Sequence, residues 1–184
     1  MDRVDSLIPI LNQSPRPLLI VPGGGLFADI VRNLRLQDDT SSHWMAVAAM
    51  DQYGWFLASY GLEVSEVMAV PEKTFVFLPY TCLRRQDPLP HTWSVTSDTI
   101  AAWIADFLKL ELLVLKSVDG IFDSGILQEA INKNLDCDEV DPFFIDYVLK
   151  NRIRATIING LIGDRVEKYL NGEPVPRTVI GTTF

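Results

Sequence analysis

Three consecutive glycines, Gly23-Gly24-Gly25, follow Pro22 and the β-prone run Leu18-Leu19-Ile20-Val21. Residues without a Cβ let main-chain N–H groups converge on an anion at a helix N-terminus, where the helix dipole adds favourable potential. A tight strand-to-helix turn would use the same residues, so an anion site and a plain turn both stand, although one turn needs fewer than three glycines. The spacing Gly23-x-Gly25-x-x-Ala28 also fits the dinucleotide fingerprint, which requires a second strand ending in an acidic residue about 20 positions on. The nearest suitable carboxylate, Asp51, falls inside a long apolar helix, so an NAD site is set aside. No Gly-x-x-x-x-Gly-Lys-Ser/Thr run exists, which excludes a P-loop.

Asp98 and Lys116 are the next candidates. A carboxylate in the first turn of a helix at the active edge of a sheet can orient cationic groups around a transferring phosphoryl group, or simply complement the helix dipole. Lys116 falls at the predicted carboxyl end of a strand, just before Ser117 and Asp119-Gly120. From there its ammonium can contact phosphate on the same rim or stay solvated, and Asp119-Gly120 also reads as a turn. Arg84 and Arg85 could hold a carboxylate or phosphate, or be solvated charge. His43 and His91 are too few and too far apart to suggest a metal site, and Cys82 has no evident base that would make it a nucleophile.

These residues need elements to place them. After the glycines, Phe27, Ile30, Val31 and Leu34 follow helical spacing. Residues 41–60 are apolar or small nearly all round, predicting a helix buried against something. Residues 74–78 read as a buried strand, and 79–92 as a loop long enough to be functional. Thr96-Ser97-Asp98 starts a helix whose face carries Ile100, Trp103, Ile104, Phe107 and Leu108. A strand over 112–115, a helix near 141–151, a strand over 155–158 closed by Asn159-Gly160, a helix near 162–171 and a last strand in the tail complete the reading. Strands alternating with helices predict parallel pairing, with a ligand site outside the carboxyl ends of the strands.

The 184 residues, 48% hydrophobic, supply one substantial core and predict a single domain over 1–184. A formal charge of −8 opposes binding to nucleic acid or an anionic membrane. The longest apolar runs, 75–78 and 112–115, fall far short of the ~20 residues of a membrane helix. No leader pattern opens the chain, and two cysteines without metal-ligand spacing favour a reducing cytoplasm. The all-round apolar character of 44–60 predicts a homo-oligomer.

Taken in order, the segments resemble the amino acid kinase superfamily, which includes uridylate, acetylglutamate, aspartate and isopentenyl phosphate kinases. Pro22-Gly23-Gly24-Gly25 resembles its glycine loop, Val95 to Ala102 its Asp-bearing helix start, Leu115 to Phe122 its nucleotide loop, and Asn159-Gly160 with Gly181-Thr182 its final repeat. The run Pro90-His91-Thr92-Trp93-Ser94-Val95-Thr96-Ser97-Asp98 with Ala101-Ala102-Trp103 resembles archaeal-type kinases that phosphorylate an aminomethyl-furanmethanol phosphate in methanofuran synthesis.

The resemblance implies a three-layer α/β/α sandwich with a mainly parallel sheet. It implies transfer of the ATP γ-phosphoryl group to a small phosphate- or carboxylate-bearing acceptor, with Mg2+ bridging the nucleotide. Gly23, Gly24 and Gly25 would then bind the acceptor or transferring phosphate, and Asp98 would organise the catalytic cations. Lys116, Ser117, Asp119, Gly120 and Phe122 would border the nucleotide, with Asn159 and Gly160 at its base.

Two departures from the family pattern accompany this. The opening strand with its Lys-x-Gly-Gly-Ser-like motif is expected to be absent, since Met1 falls at the first helix. Glu139-Val140-Asp141-Pro142-Phe143-Phe144 occupies the place of a later motif with paired glycines and a lysine. Lys116 would substitute for that second cation, while nothing replaces the first. The alternative implied is a non-catalytic nucleotide- or oxyanion-binding subunit of the same fold.

Overall fold

The computed structural model describes residues 4–162 and 164–181. In chain order the elements are α1 (Val4–Asn12), β1 (Leu19–Ile20), α2 (Gly25–Asn33), α3 (Asp39–Ala58), β2 (Val64–Ser65), β3 (Phe75–Phe77), α4 (Tyr80–Gln86) and α5 (Ser97–Leu108). Then follow β4 (Leu112–Lys116), β5 (Phe122–Asp123), β6 (Ile126–Leu127), β7 (Ala130–Ile131), α6 (Phe144–Lys150), β8 (Ala155–Asn159), α7 (Arg165–Leu170) and β9 (Thr178–Ile180). The chain is a mixed α/β protein with parallel sheets, folded as two compact units. One comprises Arg16–Ser97; the other comprises the segment up to Pro15 and everything from Asp98 on.

In the 16–97 unit, β3 lies between β1 and β2 and pairs with both in parallel. Phe75, Val76 and Phe77 are all buried, as a central parallel strand covered on both faces requires. The Asp38 carboxylate caps α3, accepting from Thr40 N at 3.2 Å and Ser41 N at 2.9 Å, which satisfies two amides of its first turn. This helix buries Val47, Ala49, Met50, Gly54 and Leu57. It is nevertheless not covered all round, because Trp55 is 59% exposed. On α2 only Val31 is buried, while Ile30 and Leu34 face solvent. Helical spacing located that element without telling which half of its apolar stripe would be covered.

The stretch 79–92 is only partly loop. Its first half is α4, anchored by buried Leu83, whose N–H donates to Pro79 O at 2.9 Å. Asp87 closes the helix in the left-handed region, at φ 46°.

In the other unit the sheet order is β4-β8-β9-β7. β4 and β8 run in parallel over five residues, with Lys116 beside Asn159. β9 is antiparallel to β8 but parallel to β7. The mixed edge was not visible as periodicity, since β7 spans only Ala130–Ile131 and β9 only three residues. The β5–β6 hairpin, two residues per strand, escaped for the same reason. β8 is buried throughout, and its Ala155 and Ile157 join Phe144, Val148 and Ile180 in the core. α1 packs on α7.

Candidate active site

The parallel register of β4 and β8 brings Lys116 and Asn159, the last residues of their strands, side by side at the carboxyl ends. Gly160 N donates to Lys116 O at 2.8 Å and ties the two exits together. The Lys116 Nζ donates to Asp98 Oδ2 at 2.6 Å, and the Asp141 main-chain N–H reaches the same oxygen at 3.2 Å. The Asp98 side chain is 11% exposed and that of Lys116 24%. Burial pushes the Asp98 carboxyl above its ordinary value, outweighing the ammonium beside it.

Two groups of this pair are unspent. Among the described residues, Asp98 Oδ1 accepts no hydrogen bond and Lys116 Nζ uses one of its three donors. An ammonium with two donors to spare, aligned by a carboxylate at the end of a parallel strand, is chemically suited to an oxyanion.

Beyond Lys116 the chain turns through a braced loop. Asn159 Nδ2 donates to Ser117 O at 3.3 Å and to Asp119 Oδ1 at 3.0 Å, while its Oδ1 accepts from Leu161 N at 2.9 Å. Arg165 also donates to Asp119 Oδ1, at 2.6 Å. Asn159 and Arg165 together hold the Asp119 carboxyl below the ordinary carboxylate range. At Gly120, φ is +155° and an added Cβ would lie 2.3 Å from Thr178 Oγ1. That hydroxyl accepts from Ile121 N at 2.8 Å and donates to Gln128 O at 2.6 Å, so Gly120 is dictated by close approach to β9. Phe122 leaves the loop on the β5–β6 hairpin, with its ring partly exposed.

The three glycines belong to the 16–97 unit, between β1 and α2. They are not equivalent. A Cβ on Gly24 would meet Ala28 Cβ at 2.4 Å, and one on Gly25, at φ +50°, would meet the Tyr53 ring at 2.7 Å. Packing and backbone geometry thus account for both. A Cβ on Gly23 would find only Ser97 Oγ at an ordinary 3.6 Å, so sterics leave Gly23 unexplained.

No protein-family model matches the chain. A [5-(aminomethyl)furan-3-yl]methyl phosphate kinase of Methanocaldococcus jannaschii is 29% identical over 178 residues, covering 88% of this chain and 82% of that protein. The UMP kinase of Ureaplasma parvum superposes with a TM-score of 0.74 at 19% identity, over 99% of this chain and 90% of its own. The chain has the amino acid kinase fold. The uridylate kinase of Archaeoglobus fulgidus shares it at TM-score 0.66 and 16% identity, covering 98% of this chain and 93% of its own. An isopentenyl phosphate kinase does so at TM-score 0.62 and 16% identity, covering 97% and 90%.

Within this amino acid kinase fold, Asp98, Lys116, Ser117, Asp119, Gly120, Asn159 and Gly160 come together around the ends of β4 and β8. Thr182, part of the final motif, lies outside the described residues. Two members of the cluster escaped the sequence reading. Arg165 is 12% exposed at its side chain, unusual for an arginine, but no spacing rule links position 165 to position 119. Asp141 was visible only as part of a segment replacing a family motif.

Arg84 stacks over the Trp44 ring at 4.6 Å, and His43 stacks on His91 at 4.5 Å. Burial and the neighbouring His91 lower the His43 pKa to about 4, leaving it neutral at pH 7. Asp51, inside α3, accepts from Tyr80 N at 3.1 Å and is raised by burial.

Proposed function

We propose that the protein is an ATP-dependent small-molecule kinase, transferring the γ-phosphoryl group to a small phosphate-bearing acceptor. Its relative's substrate suggests an aminomethyl-furanmethanol phosphate. The observation that carries this reading is the Lys116–Asp98 pair at the carboxyl end of β4, with two ammonium donors unspent among the described residues.

The residues present fit a nucleotide. Phosphoryl transfer rests on positioning and on neutralising the charge spread over the transferring group. Asp98 fixes the direction of the Lys116 ammonium, whose spare donors would hold phosphate oxygens. The Ser117–Phe122 loop, held by Asn159 and Arg165, would border the nucleotide, with Asn159 and Gly160 at its base. Gly23, which packing does not require to be glycine, would let a phosphate approach the main chain at the start of α2, where no side chain caps the helix.

An acceptor phosphate is already anionic, so its attacking oxygen needs no general base. When bound, Mg2+ would supply further charge neutralisation. Among the described residues no group of three or more His, Cys, Asp or Glu side chains could hold a metal.

Titration calorimetry with Mg-ATP, followed by an ADP-release assay on phosphate monoesters including [5-(aminomethyl)furan-3-yl]methyl phosphate, tests the reading. Binding in the micromolar to millimolar range and acceptor-dependent ADP release are expected. Absence of nucleotide binding would overturn it, and binding without turnover would select a non-catalytic nucleotide-binding subunit.

We also propose a homo-oligomer in the cytoplasm. Exposed Ile30, Leu34 and Trp55 support self-association, and the free thiols of Cys82 and Cys137 suit a reducing compartment. No helix of the described residues is long and apolar enough to cross a membrane. A monomer in sedimentation at micromolar concentration would remove the oligomer.

A further inference from the structure

Asp141 lies in the segment before α6, more than 40 residues along the chain from the two residues it touches in α5, and only 7% of it is exposed. It grips two consecutive residues of the first turn of α5 by two different routes. Its main-chain N–H donates to Asp98 Oδ2 at 3.2 Å. Its carboxylate accepts from Thr99 N at 3.0 Å through Oδ2 and from Thr99 Oγ1 at 2.6 Å through Oδ1. Oδ1 also accepts from Phe143 N at 3.2 Å, which holds Asp141 in its own turn.

We propose that Asp141 is the positioning residue of the Lys116–Asp98 pair: it locks the first turn of α5 so that Asp98 Oδ2 is filled from within the protein and Oδ1 is left open. This rests on the reading of that pair as the phosphoryl-transfer centre.

The physical case is one of constraint. A carboxylate accepting a single bond from a flexible lysine can rotate about its Cβ–Cγ axis and follow the ammonium. With Lys116 Nζ and the Asp141 N–H on one oxygen, rotation breaks one bond or the other, and Asp98 is partly desolvated, so little water stands ready to replace it. A simple helix cap would need only an acceptor for a first-turn amide. Asp141 adds a donor aimed at the candidate catalytic carboxylate, and its negative charge disfavours ionisation of Asp98. Among the described residues, the titratable groups acting on Asp98 are Lys116 and Asp141.

The test uses nuclear magnetic resonance on the whole protein. In the unaltered chain, the Asp141 amide proton should shift with pH at the same midpoint as the Asp98 side-chain carboxyl carbon, because it donates to that carboxyl. An amide that does not follow Asp98 would overturn the proposal without any variant having to fold. In Asp141→Asn, the Asp98 midpoint should move down. The kcat for phosphoryl transfer should fall by about tenfold or more with the nucleotide KM little changed, as expected when a reacting group is misplaced. Asp141→Glu, which keeps the charge but moves it, should fall between the two in kcat. A variant that melts earlier yet keeps the Asp98 midpoint and kcat would reduce Asp141 to a structural cap and sink the idea. If the unaltered chain transfers no phosphoryl group, the kinase reading fails, while the two titrations still decide whether Asp141 holds Asp98.

Discussion

Replacing Lys116 with methionine removes the only cation that pairs with Asp98 among the described residues, while keeping much of the aliphatic stem. With 11% of the Asp98 side chain and 24% of the Lys116 side chain exposed, the pair lies in the regime where deleting one partner strands a charge. Such deletions cost about 3–5 kcal/mol, and the partial exposure of Lys116 argues for the lower end, about 3 kcal/mol. The sign with pH follows from the carboxyl. Burial already raises its pKa and Lys116 opposes the rise, so removing Lys116 raises it further. A raised folded-state pKa means that ionising Asp98 destabilises the fold, fully above that pKa and not at all once the carboxyl is protonated in both states. The Lys116→Met deficit should therefore be near its full size at about pH 8. It should shrink toward the roughly 1 kcal/mol of a lost hydrogen bond as the pH falls through the raised Asp98 pKa. Urea unfolding of both proteins at about pH 8 and about pH 5 measures this. Adding Asp98→Asn should recover much of the loss at the higher pH, since the stranded charge is gone. A deficit independent of pH, or one that Asp98→Asn fails to relieve, would refute the account of the pair.

Three further outcomes follow from the same geometry. Gly23→Ala should fold with near-normal stability but bind Mg-ATP or acceptor more weakly, whereas Gly24→Ala and Gly25→Ala should each lose about 1–3 kcal/mol in urea unfolding; equal stability losses at all three would contradict the distinction drawn from packing. Arg165→Met should let the Asp119 carboxyl rise toward its ordinary pKa and raise the KM for nucleotide more than it lowers kcat, read by carboxyl titration and steady-state kinetics. His43, held down to about 4 against 6.5 when free, must take up a proton on unfolding below that value. The protein should thus lose on the order of 2 kcal/mol between about pH 6.5 and 4 that His43→Gln does not lose, and parallel stability–pH curves would argue against it.

Much of the frame was legible because strong local signals survive folding. The short β-prone runs 75–77 and 155–158 read as covered strands, and Asp98 in a helix start and Lys116 at a strand end were placed by period and punctuation. The glycine loop was visible as a loop, but its three residues could not be told apart. Only the positions of Ala28, Tyr53 and Ser97 show that two glycines answer to packing and one does not.

The amino-acid sequence by itself determined which residue types stand at the ends of which strands, and hence the α/β class and the resemblance to the amino acid kinase fold. Tertiary structure alone decided the pairings: Lys116 with Asp98, Arg165 with Asp119, Thr178 against Gly120, and Asp141 beneath the first turn of α5. The physical reason is range. Helix and strand periods are set by neighbours within a few residues, whereas each of these contacts joins positions at least 18 apart, as does the parallel crossover that puts Lys116 beside Asn159.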